Sequence, residues 1–231
     1  MELLNDSENI DCEYKARISL LPQRSIAFKV ANDFTRTYEY QGFWFRIQPL
    51  RGLMWAQDHF IPQPASTLIA SYPKTGTTWL KALSFSIATR NRYDIPSSPL
   101  QTASPHECVP FLEYDIPKTQ SHNYPEIPLF STHVPYTSLP ESITASDCKI
   151  VYICRDPTDT FVSWWHFIHK LARKDTEFVP VEEGFQQFSE GKATVGDWKN
   201  HLPAKMKEQM DQIMELKLTD SGLTLGNTSH T

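Results

Sequence analysis

The residue types best suited to chemistry stand together in one short run, between an apolar stretch and an apolar helix. The run reads Tyr72-Pro73-Lys74-Thr75-Gly76-Thr77-Thr78-Trp79. The first amide groups of a helix have no partner inside it, and the helix dipole favours negative charge there. These amides, the threonine hydroxyls and Lys74 would therefore converge on one anion, and a phosphate or a sulfate fits such a cradle. The run could also be an ordinary turn in which Thr77 or Thr78 caps the helix and Lys74 is solvated.

The order of residues in this run differs from the Walker A motif. In that motif the lysine directly follows a glycine, whereas Lys74 here precedes Gly76. The sequence also offers no evident magnesium ligand to accompany the run. A kinase built on the same cradle is therefore disfavoured.

Three further side chains could act on a proton or on an anion. His133 has an intrinsic pKa close to neutrality, which suits a general base, although a histidine at the end of a strand is often structural. Arg155 has a planar fork that matches a phosphate, and it could instead form a salt bridge that ends a strand. Ser163 follows Arg155 by eight residues, on a predicted helix.

The sequence predicts no metal site. His166 and His169 lie on the same predicted helix at a spacing that would let both bind one ion. No carboxylate or cysteine stands at a matching spacing, so we interpret them as a solvated or packed pair. Metal-ligand spacing is also missing among the cysteines, which are Cys12, Cys108, Cys148 and Cys154.

Three short apolar runs precede the candidate residues, and each is typical of a strand. The runs are Leu68 to Ala70, Leu129 to Val134 and Lys149 to Cys154. Helices are predicted between them, which is the pattern of a parallel sheet with helices on its faces. Because ligands bind at the carboxyl ends of such strands, Lys74, His133 and Arg155 are expected to meet at one edge. We therefore predict a single α/β domain with a central parallel sheet flanked by helices.

Two other segments could shape a pocket at that edge. The stretch from Tyr38 to Phe60 is dense in aromatic residues. These rings could pack the N-terminal segment onto the domain or line an apolar pocket, and both can hold at once. The proline-rich stretch from Arg90 to Leu129, with a short helix predicted near Cys108 to Tyr114, is a long loop of the kind that forms a lid, a binding loop or a disordered segment. An amphipathic helix is predicted from Ala204 to Lys217.

Composition disfavours some classes of protein and sets the expected location. The chain has 231 residues and a net charge of −5, which argues against a nucleic-acid protein that relies on a broad basic surface. We identify no secretory signal, and no apolar run approaches the length of a membrane span. We therefore predict reduced cysteines and a cytosolic protein with neither a nucleic-acid nor a membrane partner.

Four motifs, in order, resemble those of the plant-type cytosolic sulfotransferases, a branch that includes flavonol and brassinosteroid sulfotransferases. Pro73 to Trp79 is similar to the cofactor-binding motif of that family, and Thr132 to Pro135 to its catalytic-histidine segment. Val151 to Pro157, with Ser163, is similar to its 3′-phosphate-binding motif, and Gly196 to Asn200 to its C-terminal motif. The aromatic runs that resemble the plant branch in particular are Tyr40 to Trp44 and Met54 to Phe60.

The resemblance implies a P-loop-like sulfotransferase fold and transfer of a sulfuryl group from 3′-phosphoadenylyl sulfate to a hydroxyl of a small acceptor. The residues implied to hold the 5′-phosphosulfate are Lys74, Thr75, Gly76, Thr77, Thr78 and Trp79. Lys74 would also neutralise the leaving phosphate, Arg155 and Ser163 would grip the 3′-phosphate, and His133 would take the proton of the acceptor. Such a transfer needs positioning and fixed positive charge and requires no metal.

The chain departs from that family before the C-terminal motif. Gly191 to Val195 joins two segments that family members separate by a longer block, which carries a strand, helices, a nucleotide-binding tyrosine and a basic Arg-Lys-Gly run. We therefore predict an internal deletion near residues 191–192, an incomplete fold and weak activity. The alternative is an inactive truncated paralogue or splice product that at most binds nucleotide. The predicted domain covers residues 38–222, between a partly disordered arm at 1–37 and a polar tail at 223–231.

Overall fold

The computed structural model of the protein describes residues 13–25, 36–115, 127–171 and 179–189. The strands are β1 (Gln23–Ser25), β2 (Arg36–Tyr40), β3 (Phe43–Arg46), β4 (Thr67–Ser71), β5 (Leu129–Thr132) and β6 (Lys149–Ile153). The α-helices are α1 (13–19), α2 (Ile47–His59), α3 (Thr77–Thr89), α4 (Pro105–Cys108), α5 (Glu141–Thr144), α6 (Pro157–Leu171) and α7 (Val181–Ser189). Short 3₁₀ turns lie at Pro99–Gln101 and Tyr136–Ser138.

Several predictions from the sequence fall on residues outside those ranges. They concern the junction near residues 191–192, the C-terminal motif at 196–200, the amphipathic helix at 204–217 and the polar tail. The same holds for the first part of the predicted arm. The domain limits and the internal deletion therefore stay predictions.

A parallel sheet in the order β5-β4-β6 forms the centre of the described fold. Ala70 of β4 pairs with Thr132 of β5 on one side and with Tyr152 of β6 on the other, so the three strands end at the same level. The predicted α/β class and all three predicted strands are confirmed. The chain runs from β4 to one neighbour and then crosses to the other, which places a switch point of the topology at the end of β4.

The two central apolar residues of β4 point to opposite faces of the sheet, and each packs against a helix. Leu68 packs with Leu53 and Ala56 of α2, and Ile69 packs with Phe85 of α3. Both strand residues are fully buried. A helix–sheet–helix arrangement follows, with β4 in its middle and the cradle run directly after it.

The outer strand β6 is much less covered. Ile150, Val151 and Tyr152 are 37%, 40% and 63% exposed, although their side chains are apolar or aromatic. A continuous apolar run is typical of a parallel strand with helices on both faces. Here the strand lies at the edge of the described sheet, so a substantial part of its surface stays in solvent.

The aromatic stretch forms a second, antiparallel sheet that the sequence analysis did not predict. β2 and β3 pair from Thr37↔Arg46 to Tyr40↔Phe43, which leaves a two-residue turn. Gln41 and Gly42 in that turn have φ angles of 52° and 83°. Two positive φ angles characterise the tight turn whose twist suits a hairpin, and a glycine preceded by an amide residue is the sequence signal for it.

This sheet and α2 also receive the first described helix. Tyr14 and Ile18 of α1 are buried and pack with Leu50 and Met54 of α2. Tyr38 of β2 packs at the edge of the same cluster. The prediction that these aromatic residues pack the N-terminal segment onto the domain is confirmed.

The short helix of the proline-rich stretch lies earlier than predicted. We expected it near Cys108 to Tyr114, whereas α4 starts at Pro105 and ends at Cys108. Proline is favourable in the first turn of a helix, and the amide of Ser104 donates to Glu107 Oε2 at 2.6 Å. Beyond α4 the chain is extended, and the amide of Leu112 donates a hydrogen bond to Ser131 O of β5 at 2.8 Å. In the described part of the chain, no helix is long and apolar enough to cross a membrane.

Candidate active site

The cradle at the start of α3 depends on two unusual backbone conformations. Lys74 and Gly76 have φ angles of 69° and 113°, in the left-handed region. Glycine takes that region freely, whereas a lysine there stores about 1 kcal/mol of strain. A Cβ at position 76 would also lie 3.1 Å from Ile153 Cδ1 of β6. The turn therefore requires glycine at position 76.

The cap of α3 differs from the one expected of an ordinary turn. The alternative in which Thr77 or Thr78 caps α3 is not observed, since Gly76 is the N-cap residue and no side chain accepts a cap hydrogen bond. The first bond of the turn runs from Leu80 N to Gly76 O at 3.0 Å. The amides of the first helical turn consequently lie outside the helix ladder, as an anion site requires.

The three threonines of the cradle have different local roles. The Thr75 hydroxyl is buried and donates to Tyr72 O at 2.8 Å, which closes the turn. The Thr77 hydroxyl shares a hydrogen bond of 2.7 Å with Ser71 Oγ. The Thr78 hydroxyl lies 3.1 Å from His106 Nε2. Thr75 and Thr77 therefore hold the turn, whereas Thr78 faces the loop that carries α4.

Lys74 points across the turn towards α6. Its Nζ lies 4.3 Å from the centre of the Phe167 ring, within range of a cation–π interaction. Burial, together with the charge of Lys170, lowers the pKa of Lys74. Three elements thus meet at this corner: the end of β4, the start of α3 and the second half of α6.

His133 follows β5 and is held by two hydrogen bonds. Its Nδ1 lies 2.7 Å from Ser71 O, and its amide donates to Glu113 Oε1 at 2.8 Å. A carbonyl oxygen only accepts, so Nδ1 must carry the proton and Nε2 must keep its lone pair. Burial lowers the pKa of His133 to about 4, against the opposing effect of the Ser71 hydrogen bond. The ring is therefore neutral at pH 7, with Nε2 ready to accept a proton.

A cavity of about 730 Å³ lies beside these groups, a size typical of small-molecule sites. The predicted site residues among those that line it are Lys74, Gly76, Thr77, Thr78, Trp79, His133 and Ser163. Aromatic side chains form much of the remaining wall, namely Phe43, Trp44, Phe45, Phe111, Tyr114 and Phe167. The second interpretation of the aromatic stretch, that it lines a pocket, is thus confirmed as well.

Two predicted site residues are absent from the lining of the cavity: Thr75, whose hydroxyl closes the turn, and Arg155, whose side chain points elsewhere. Arg155 Nε and Nη2 donate to Asp159 Oδ2 at 2.9 and 2.5 Å. It is absent from the lining of the cavity, although Ser163 of the same α6 segment is present. Arginine and aspartate stand four residues apart, a spacing at which side chains meet at the start of a helix. The structure therefore shows the salt-bridge alternative for Arg155.

The histidine pair on α6 is packed, at least at its second member. His169 Nδ1 donates to Trp165 O at 2.5 Å, and its Nε2 accepts the amide of Val179 at 3.2 Å. The ring centres of His169 and Trp165 lie 4.6 Å apart. Within the residues that the structure describes, no group of three potential ligands could hold a metal ion.

Three residues at the site were not predicted from the sequence. Lys81 of α3 is fully buried beneath the cavity, next to Phe111. Glu113 is 2% exposed and holds the backbone of His133. Burial raises the pKa of Glu113 to about 7 and lowers that of Lys81 to about 7. Arg46 of β3 lines the cavity, and burial lowers its pKa. The sequence signal that could have indicated Lys81 was the position of a lysine within an otherwise apolar helical run.

Comparison with known proteins places these features in a family context. The sulfotransferase domain family matches residues 64–196 of this chain. Cytosolic sulfotransferase 17 of Arabidopsis thaliana is 42% identical over 210 residues, covering 88% of this chain and 60% of the relative. Flavonol 3-sulfotransferase of Flaveria bidentis is 40% identical over 197 residues, covering 84% of this chain and 62% of the relative. The chain thus spans about three fifths of the length of these relatives.

Among solved structures, an Arabidopsis thaliana protein described provisionally as a steroid sulphotransferase superposes with a TM-score of 0.73. It is 29% identical, and the match covers 91% of this chain and 94% of that one.

Proposed function

The chain belongs to the sulfotransferase family, as plant cytosolic sulfotransferases do, and we propose that it transfers a sulfuryl group from 3′-phosphoadenylyl sulfate to a hydroxyl of a small acceptor. The observation that carries this proposal is the placement of His133. Its Nδ1 is anchored on Ser71 O, and its ring lines the same cavity as Lys74 and the first turn of α3. A proton acceptor and an anion cradle therefore face one space.

The residues of the cradle suit a donor that carries a phosphosulfate. The amides of the first turn of α3 and the ammonium group of Lys74 provide the positive potential that such an anion requires. The absence of a side chain at Gly76 leaves room for the turn to close against Ile153. Trp79 is 84% exposed and lines the cavity, so its indole is available for stacking with a base.

Each residue would then have one task in the transfer. The donor supplies the activated sulfuryl group. His133 Nε2 accepts the proton of the acceptor hydroxyl as the new oxygen–sulfur bond forms. The bond between sulfur and the bridging oxygen breaks, and the electron pair stays on the leaving 5′-phosphate, whose charge Lys74 stabilises. Catalysis of this kind depends on positioning and on fixed charges rather than on a covalent intermediate.

The acceptor is proposed to be a flat, largely apolar alcohol or phenol, such as a flavonol or a steroid. Phe43, Trp44 and Phe111 line the cavity, and aromatic rings bind such scaffolds with little loss of side-chain entropy. Names of relatives include flavonol 3-sulfotransferase. The relatives that are named cytosolic also support a cytosolic location for this chain.

One observation favours a second candidate function, binding of nucleotide without turnover at the usual rate. The resemblance assigns Arg155 to the 3′-phosphate, whereas its guanidinium is occupied by Asp159. A donor site that lacks this grip would bind more weakly and present its sulfate to His133 less often.

Calorimetry with 3′-phosphoadenosine 5′-phosphate and transfer from a sulfur-35-labelled donor to a panel of flavonols and steroids test the proposal together. His133→Ala should reduce transfer by about 10²–10⁴-fold and leave nucleotide binding nearly unchanged, since it removes only the base. Gly76→Ala should weaken nucleotide binding by about tenfold or more, because it strains the cradle.

Gly42→Ala is the matched control for the second variant. Gly42 also has a positive φ, 83°, but its added Cβ would meet no atom within 4 Å, and it lies in the β2–β3 turn. The Gly42→Ala variant should have the same backbone strain at a positive φ but should still bind the nucleotide. Nucleotide binding without detectable transfer to any acceptor would favour the second candidate. A folded chain that binds no nucleotide would overturn both.

A further inference from the structure

Lys81 is a buried basic side chain that packs behind Phe111, a residue that lines the cavity. Lys81 lies on α3, one turn beyond the cradle, and is 0% exposed. Its Nζ donates to Val109 O at 2.9 Å and lies 3.2 Å from the centre of the Phe111 ring. A lysine in such a place loses its hydration, so the carbonyl and the ring face must replace water around the ammonium group.

Phe111 connects Lys81 to the candidate base. The ring centres of Phe111 and His133 lie 4.8 Å apart at an interplanar angle of 46°. On another side, Phe111 stacks on His106 with ring centres 5.5 Å apart. Lys81 thus fixes one face of a ring that also contacts Tyr114 and the two histidines nearest the cradle.

A second connection runs through the backbone of the same segment. Glu113 accepts hydrogen bonds from Thr132 Oγ1 and from the amide of His133, each at 2.8 Å. Leu112 and Ser131 pair through the Leu112 amide at 2.8 Å. Val109 O, which Lys81 holds, lies at the start of this segment. The segment 109–113 therefore joins α3 to the strand end that carries His133.

We propose that Lys81 is a positioning residue for His133, acting through the Phe111 ring and the segment 109–113. It holds the imidazole in the orientation in which Nδ1 donates to Ser71 O and Nε2 faces the cavity. The use of this orientation in sulfuryl transfer rests on the proposed function. The orientation of the His133 ring does not depend on that function.

The chemistry of a buried lysine explains why an apolar residue would serve less well. Leucine or methionine could fill the volume below Phe111, and burial of an ion has a cost that an apolar side chain avoids. Lysine adds a directed donor towards Val109 and a cation against the ring face. Both interactions depend on direction, so they fix the position of Phe111 more narrowly than packing alone. A role confined to fold stability would instead affect the whole domain and leave the His133 ring as it is.

Nitrogen-15 spectra of labelled histidine distinguish the two roles. Lys81→Met removes donor and charge, whereas Lys81→Gln keeps a donor for Val109 O and removes the charge. The His133 signals are assigned by their absence in His133→Ala. We expect the wild-type ring to be protonated at Nδ1, and Lys81→Met to populate the Nε2-protonated tautomer, which loses the hydrogen bond to Ser71 O. Lys81→Gln should keep more of that hydrogen bond, so it should show a smaller change of tautomer and a raised pKa of His133 as the nearby positive charge is lost.

Thr89→Val provides the matched control on the same helix. Thr89 is 2% exposed, and its hydroxyl donates to Phe85 O at 2.7 Å, far along α3 from the cradle. Its loss should lower the thermal stability while the His133 signals stay unchanged. Where the wild-type chain transfers sulfate, Lys81→Met should lower kcat by about tenfold or more and leave KM for the donor within about twofold.

The spectra decide the proposal whether or not the chain transfers sulfate. A folded Lys81→Met protein with the wild-type tautomer and pKa of His133 would overturn it, and so would a Thr89→Val protein that shows the same spectral change. If neither Lys81 variant folds, Phe111→Leu tests the same path, because it removes the ring between the two residues. That variant should also release the His133 ring, and unchanged His133 signals there would refute the proposal.

Discussion

His133 and Glu113 are neighbouring groups with shifted pKa values. The two shifts change the stability of the fold in opposite directions as the pH falls. Burial lowers the pKa of His133 to about 4, and burial raises the pKa of Glu113 to about 7. The ordinary values are 6.5 and 4.5. As the pH falls from 7, the folded state loses stability through His133, because only the unfolded chain takes up its proton. Over nearly the same range it gains stability through Glu113, because the folded chain already holds that proton.

Glu113→Gln should make the histidine effect visible. Stability from a raised carboxyl pKa is fully present below the unfolded value and is lost as the pH rises through the folded value, here between about 4.5 and 7. The variant lacks this gain on acidification. Its free energy of unfolding, relative to wild type, should therefore decrease as the pH falls from 7 to 4.5, by on the order of 3 kcal/mol.

Urea unfolding at several pH values measures this difference. Glu107→Gln is a suitable control, because Glu107 is exposed and its pKa is lowered by its hydrogen bonds to Ser104. A lowered carboxyl pKa gives the opposite sign, with stability lost on acidification, so its removal should flatten that loss. A Glu113→Gln protein whose relative stability stays constant with pH would contradict the expected titration of the buried carboxyl.

At the scale of elements, α2 approaches the segment that carries Glu113 closely enough to require a glycine. A Cβ at Gly52 would lie 1.9 Å from Glu113 O, a backbone atom that cannot rotate away. Gly52→Ala should therefore push the segment away from α2 and destabilise the protein by about 3 kcal/mol or more, at the upper end of what overpacking costs. It should also move His133, whose amide Glu113 holds.

Ala56→Gly on the same helix is the control, because it changes helix propensity and removes one buried methyl group without forcing a close contact. Ala56 is fully buried in the cluster around Leu68, and a glycine there should cost about 2 kcal/mol, about half from propensity and half from the lost methyl group. Thermal and urea unfolding of both variants give the comparison. If Gly52→Ala cost no more than Ala56→Gly, the close approach of α2 and the segment would be disproved.

The elements that sequence analysis predicted are those whose signal is local. β4, β5 and β6 are apolar runs, and Gly76 marks a turn that only glycine makes easily. β3 was missed because Phe43 to Phe45 is aromatic on both faces, and the alternation in β2, with Tyr38 and Tyr40 on one face, is too short to indicate a strand alone. The signal that could have found them was the Gln41-Gly42 turn.

The site was predictable where the residue types converge on strand ends, and unpredictable where long-range packing decides. Lys74 and His133 follow strands that pair in the sheet, so their meeting followed from topology. Lys81 and Glu113 meet the site through segment 109–113, whose path beside β5 has no local signal. For Arg155 the spacing to Asp159 allowed a salt bridge. The residues of the chain alone did not decide between that salt bridge and the binding of a phosphate.

At the scale of the whole molecule, the exposed apolar side chains of the described residues include a row on one face of α3 and part of β6. Trp79, Leu83 and Ile87 follow at successive helical turns and are 84%, 55% and 52% exposed. Contiguous exposed apolar residues mark either an interface or a surface prone to association. The described residues leave this α3 face in solvent, while the chain spans about three fifths of the length of its relatives.

Ile87→Glu tests whether this α3 face is truly open. If solvent surrounds it, the charge should change the free energy of unfolding by no more than about 0.5 kcal/mol, since substitutions on open surface have small effects. Self-association, measured by sedimentation velocity, should decrease because the charge breaks the apolar stripe. Phe85→Glu, two residues away on the buried face, should instead unfold the domain, as Phe85 is 4% exposed and packs with Ile69 and Val109. A cost above about 2 kcal/mol for Ile87→Glu would mean that another part of the chain, or a second copy of it, covers the stripe, because only a buried charge carries such a penalty.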